Sequence, residues 1–200
     1  VRLVDLPVRG TQVTFGGVVD LFVRQQRRGM AAAMRAMGLA AAGRVPIRRL
    51  DLGRTGVRDQ DLAHLGDLKH LEHLVLANSG VTDAGLVHVG KLKQLKGIYL
   101  AKCAVTDAGL AHLAKLTRLT ELHLGETGIT DKGTRQLAAL GQLQKLWLND
   151  TRITDASVPL LARLKQLQAL YLHRTRLTVE GVRRLQKALP KCRILGNPTK

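Results

Sequence analysis

Aromatic side chains are nearly absent from this sequence: two Phe, two Tyr and one Trp in 200 residues, so any place where they gather is informative. Cysteine is equally scarce. The two thiols, Cys103 and Cys192, cannot build the disulfide framework on which small secreted domains depend. No uninterrupted apolar run reaches membrane-spanning length, which excludes a transmembrane segment of the usual kind, and mean hydropathy is −0.02, as in a soluble chain. There is no phosphate-cradling glycine loop, no GxSxG, no HExxH and no CxxC, so no familiar catalytic or cofactor motif is present. The chain starts at Val1 without a signal-peptide pattern, which fits a fragment or a processed form and favours the cytoplasm.

Negative charge is also in deficit, with 15 Asp and Glu against 32 Lys and Arg, a net of +17. One consequence would be a polyanion partner, nucleic acid or an acidic surface. The other is an arginine-rich composition spread over solvated faces. Residues 1–46 hold seven Arg and two Asp; the remainder holds 25 basic and 13 acidic residues. Lys91, Lys93, Lys115, Arg118, Arg163 and Lys165 fall near expected helix ends, where cations suit the helix dipole.

What the chain has in abundance is leucine at a fixed interval. Leu119, Leu122 and Leu124 open a stretch that closes on Leu137 and Leu140, and Leu143 starts the frame again 24 residues on. The same phase runs through Ile47, Leu71, Leu95, Leu119, Leu143, Leu167 and Lys191 without insertion. A constant period of this length marks a solenoid. Within a unit, Leu122-His123-Leu124 alternates as a strand whose leucines face a core. The ninth place holds Thr55, Ser79, Cys103, Thr127, Thr151 and Thr175, small residues where the chain turns inward and buried backbone groups need partners. Thr130-Asp131 then offers cap chemistry for a short helix that lays Leu137 and Leu140 on the same core. One coil cannot bury its own apolar face, so stacking supplies the stability.

The frame LxxLxLxxT-x-V/I-T-D, with TDAGL at Thr82–Leu86 and Thr106–Leu110, resembles the leucine-rich repeat family, in a form similar to repeats common in bacterial proteins. The resemblance covers about three quarters of the chain. It implies an α/β fold: a right-handed solenoid arc with a parallel sheet on the concave face and short helices on the convex face. It implies little about function, since the same scaffold hosts many unrelated binding tasks.

The expected organisation has three parts. Residues 47–190 form six repeats of 24, and residues 191–200 supply a terminal strand and tail, where Arg193, Pro198 and Lys200 discourage edge pairing. Residues 1–46 form a degenerate capping coil, because Thr11–Val18 resembles Thr175–Val182. That alignment sets a strand frame on Leu3, Leu6 and Val8, with a longer helix or broken pair across Val18–Ala42. The alternative is an unrelated linker helix.

Three side-chain columns invite a chemical reading. Asp59, Asp83, Asp107, Asp131 and Asp155 each start a helix, where capping explains them better than metal binding. His64, His88 and His112 recur on the convex layer, but the column continues as Gln136, Leu160 and Arg184, a solvent-exposed pattern rather than a zinc site. Neither column nominates a metal or cofactor. The middle strand position reads Asp51, Val75, Tyr99, His123, Trp147, Tyr171, and so gathers the only Trp and both Tyr on one outward row. Strand propensity could place aromatics there. An aromatic-poor chain that spends them on one exposed row, however, presents an apolar patch of the kind that marks contact sites. Glu121, Glu126 and Asp150 lie beside this row, and Lys102, Lys145 and Arg174 flank them.

The sequence therefore reads as a non-enzymatic protein- or peptide-binding scaffold. Tyr99, His123, Trp147 and Tyr171 would supply contact area, and the neighbouring charges would select a partner of some basic character. Two alternatives are a polyanion binder acting through the basic first 46 residues and convex lysines, and the substrate-targeting part of a larger enzyme.

Overall fold

The computed structural model describes residues 19–22 and 47–197. Eight parallel strands lie in chain order in one sheet: β1 Val19–Phe22, β2 Ile47–Asp51, β3 His73–Val75, β4 Gly97–Tyr99, β5 Glu121–His123, β6 Lys145–Trp147, β7 Ala169–Tyr171 and β8 Arg193–Leu195. From β2 onward the register advances by the sequence period, with Leu50, Leu74, Ile98, Leu122, Leu146, Leu170 and Ile194 in adjacent pairs. In β3, β5, β6 and β7 only the central leucine of the three residues is buried before the chain turns. Short helices return the chain: α-helices at Asp83–Val89, Asp107–Leu113, Thr134–Leu137, Val158–Leu161 and Val179–Ala188, and 3₁₀ turns at Asp59–Asp67 and Asp155–Ser157. The leucine frame and the helix leucines close one continuous core, in which Leu122, Leu124 and Leu137 are wholly buried.

The ninth-place residues do what their chemistry requires. The hydroxyls of Thr55, Thr127 and Thr151 each donate at 2.6 Å to the carbonyl three residues back, and that of Thr175 at 2.9 Å, satisfying oxygens the strand has released. Cys103 Sγ turns instead to Leu76 O, 3.1 Å away in the preceding coil, and both thiols are free and buried. Immediately before them, Arg54, Asn78, Lys102, Glu126, Asp150 and Arg174 all adopt φ between 54° and 59°. A left-handed conformation costs a non-glycine residue about 1–2 kcal/mol. It persists because this bend lets the N–H groups of the first five donate to the next coil, as Arg54 does to Ala77 O at 2.8 Å and Glu126 to Asn149 O at 2.8 Å.

The aspartate column corrects the capping expectation. The caps are the threonines: Oγ1 of Thr82, Thr106, Thr130, Thr154 and Thr178 accepts an N–H of its own helix or turn at 3.1–3.3 Å. Each aspartate reaches into the following coil. Asp59 grips Thr82, Asp83 grips Thr106, Asp107 grips Thr130, Asp131 grips Thr154 and Asp155 grips Thr178, one oxygen on the N–H and the other on the hydroxyl. This also explains the glycine of TDAGL. A Cβ on Gly85, Gly109, Gly133 or Gly181 would meet the preceding aspartate's Oδ1 within 2.1–2.4 Å. Ser157 stands at that place in one coil, and its hydroxyl donates to Asp131. Burial pushes the Asp131 carboxyl up, but the bonds from Ser157 and Thr154 outweigh it and hold the group below its usual value.

A second correction concerns the start of the expected helix over Val18–Ala42: Val19–Phe22 is a strand, paired parallel with β2 as Leu21 with Leu50 and Phe22 with Asp51. β1 continues the sheet hydrogen-bonding beyond the first regular coil, which outweighs the helical composition downstream. The frame on Leu3, Leu6 and Val8, and the remainder of that stretch, lie outside the described residues, as do Pro198 and Lys200.

A candidate binding surface on the concave sheet

Positions that alternate with the buried leucines face away from the helices. On this face Trp147 lies between two rings. Its centroid is 5.2 Å from His123 at an interplanar angle of 9°, and 5.0 Å from Tyr171 at 7°. The spacing is the separation of neighbouring strands, so in-register parallel pairing imposes the stack. All three side chains are half-buried. The sequence therefore places the row correctly but overstates its openness: both faces of the indole are covered, and only ring edges meet solvent. His123 Nδ1 accepts Gly125 N–H at 3.2 Å. Burial lowers the His123 pKa against a smaller opposing pull from Glu126.

Tyr99 leaves the row. Its hydroxyl donates to Glu121 Oε2, and the guanidinium of Arg49 lies 5.7 Å from its ring centroid. Gly97 makes the close packing possible, since a Cβ there would sit 2.3 Å from His73 Nδ1 and 3.3 Å from Tyr99 Cε2. Burial, reinforced by the bond to Glu121, pushes the Tyr99 phenol up to about 12. His73 lies below its ordinary value, first because it is desolvated and then because Arg49 is near. Arg49, His73 and Gly97 escaped the sequence reading. Their one signal was a glycine in a column otherwise filled by Arg, His, Glu, Lys and Ala.

The mixed charges expected beside the row are paired with one another. Glu121 bonds Lys145 at 2.9 Å, Glu126 pairs with Lys102 at 3.3 Å, and Asp150 pairs with Arg174 at 2.8 Å. Burial tends to raise Glu121, but the Tyr99 hydroxyl and Lys145 prevail and lower it, while the same bond raises Lys145. Glu72 is shared by Arg48 and Lys96 at 3.3 and 3.0 Å, and its pKa is lowered chiefly by Lys96. Asp51 Oδ1 accepts Gly53 N–H at 2.9 Å. These exposed pairs add little stability, about 0–1 kcal/mol each, but they cancel charge. The ten expected site residues thus divide into a three-ring stack, a Tyr99–Glu121–Lys145 chain and two flanking ion pairs.

Several convex lysines are also engaged. Lys69 caps Gly66 O at 3.2 Å, Lys93 caps Gly90 O at 2.6 Å and Lys165 reaches Ala188 O at 3.1 Å. Among the described residues no group of three or more His, Cys, Asp or Glu is placed to hold a metal ion, and no helix is long and apolar enough to cross a membrane.

Residues 67–89 and 115–138 match the family model for the leucine-rich repeat. Together with the coil geometry, these matches identify the units as leucine-rich repeats. Among solved structures, internalin inlF of Listeria monocytogenes is similar at 22% identity and TM-score 0.64, over 80% of this chain and 44% of that one. Internalin C2 of the same organism is 20% identical with TM-score 0.66, over 92% and 80%. A leucine-rich repeat protein of Leptospira interrogans is 23% identical with TM-score 0.52, over 76% and 43%. The chain therefore spans less than half the length of the first and third. No curated protein sequence matches it. In all, 352 solved chains share the likeness, so it defines a fold and not a partner. Proteins built on this repeat are typically interaction scaffolds.

Proposed function

We propose that the chain is a non-enzymatic scaffold that binds a protein or peptide segment across the concave sheet, centred on Trp147. The observation that carries this is the stack of His123, Trp147 and Tyr171 on an open sheet face in a chain with five Phe, Tyr and Trp in all. Tyr and Trp are the side chains that most often dominate binding energy, and here they are held rigid before any partner arrives. Residues 1–46 act as a cap for the repeat stack in this reading, and residues 191–200 supply its terminal strand and tail. The polyanion alternative is weakened because Lys69, Lys93 and Lys165 serve helix ends. The test is affinity capture with wild-type protein beside Trp147→Ala and a convex control, Arg135→Ala. A partner retained by the control and lost by Trp147→Ala supports the proposal; capture indifferent to Trp147 overturns it.

A further inference from the structure

The row's chemistry narrows the partner, on the reading just given that the row is the contact site. Because Nδ1 of His123 accepts the Gly125 N–H, a neutral imidazole must carry its proton on Nε2. Trp147 Nε1–H and Tyr171 O–H bring two further donors. Among the described residues the only buried side-chain nitrogen or oxygen without a partner is His73 Nδ1. The three donors of the stack are therefore open to solvent, one on each of three neighbouring strands. Ring edges are also the electropositive part of an aromatic group, and edges are what this stack presents.

The surroundings carry no unpaired negative charge. Glu121, Glu126 and Asp150 are each matched by a cation, which a basic residue of the partner would have to displace. A partner's lysine or arginine would otherwise seek a ring face, but both faces of Trp147 are taken by its neighbours. At Trp147 the same closure disfavours single-stranded nucleic acid, whose bases need open ring faces on which to stack. An acceptor-rich chain has neither difficulty. We infer that the segment bound along His123, Trp147 and Tyr171 is an acidic peptide, its carboxylates and carbonyls accepting from the outward edges of the stack.

The test is selection from a random-peptide display library on the full chain, with Trp147→Ala as the counter-selection target. The expected result is a set of Trp147-dependent sequences enriched in Asp and Glu over the input. A selected peptide should lose its binding when its acids are replaced by lysine. Trp147→Phe, which keeps a ring but removes the donor, should weaken it by about three- to tenfold. Trp147-dependent peptides rich in Lys and Arg, or without charge bias, would overturn the acidic partner and leave the site standing. So would Trp147→Phe binding as well as wild type, or a single-stranded oligonucleotide outcompeting the peptide. Failure to obtain any Trp147-dependent sequence would overturn both this inference and the site itself.

Discussion

Asp83 holds Thr106 of the next coil with both carboxylate oxygens, Oδ1 on the backbone N–H at 2.8 Å and Oδ2 on the hydroxyl at 2.6 Å. The pair lies 23 residues apart in sequence and is repeated up the convex side of the stack. It joins a helix cap to its neighbour, and it crowds Gly109, where a Cβ would lie 2.2 Å from Asp83 Oδ1 and force that carboxylate to shift.

A double-mutant cycle follows from that contact. Asp83→Ala removes both bonds to Thr106 and should cost about 0.5–1.5 kcal/mol for each in urea unfolding, since water can reach the exposed N–H and hydroxyl. Gly109→Ala should also destabilise the wild-type chain. In the Asp83→Ala background the same glycine change should be neutral or stabilising by up to about 1 kcal/mol, because the clash is gone and alanine favours helix. Additive losses would mean that the two positions do not meet.

Core truncation gives a reference for scale. Leu122→Ala removes a wholly buried side chain from a central coil and should cost about 2–5 kcal/mol by denaturant unfolding. A smaller loss would place Leu122 outside the core.

Stability should fall on mild acidification. His73 and His123 both have folded pKa values below the ordinary 6.5, chiefly through burial. For a depressed group the contribution is present above the unfolded pKa and is lost as pH falls, since the unfolded chain then binds more protons. The urea midpoint should therefore decline between about pH 7.5 and pH 5, before Glu121 begins to titrate, and His73→Gln should reduce the slope. A midpoint constant across that range would contradict the burial of both rings.

Much of the fold was legible because leucine spacing sets the strand register directly: a 24-residue period leaves one way to align Leu122 with Leu146. The aromatic row was legible for the same reason, as in-register strands carry His123, Trp147 and Tyr171 into adjacency. What the period could not convey was side-chain direction. Tyr99 shares the row's position yet turns toward Glu121, because Gly97 opens space on one side of it. Nor could it show that Glu121, Glu126 and Asp150 are paired, since a charge column has the same spelling whether its members meet each other or water. The left-handed column at Arg54, Asn78, Lys102, Glu126, Asp150 and Arg174 has no glycine to announce it. The aspartates seemed helix caps because Thr and Asp stand together; their reach into the next coil is a fact of stacking.

Charge alone should give only weak nucleic-acid binding. We expect sequence-blind association that largely vanishes as salt approaches physiological strength, with Trp147→Ala unchanged from wild type. Tight binding that survives such salt would favour the polyanion alternative.

Trp147→Ala should destabilise the chain more than a solitary surface residue would, because two stacked pairs are lost at about 0.5–1.5 kcal/mol each. Unfolding by urea reads this directly. A loss no larger than that of Arg135→Ala would show that the stack is not formed in solution.

The central claim, that a partner contacts the concave row, has a reporter built into the sequence: one tryptophan gives one indole N–H resonance in a ¹⁵N-correlated NMR spectrum. Titration with a captured partner or a selected peptide should shift or broaden that resonance to saturation. Amides of the convex helices, such as those over Asp107–Leu113, should stay in place. Saturation with partner that leaves the Trp147 indole peak unmoved while the convex amides shift would put the binding surface on the other side of the solenoid.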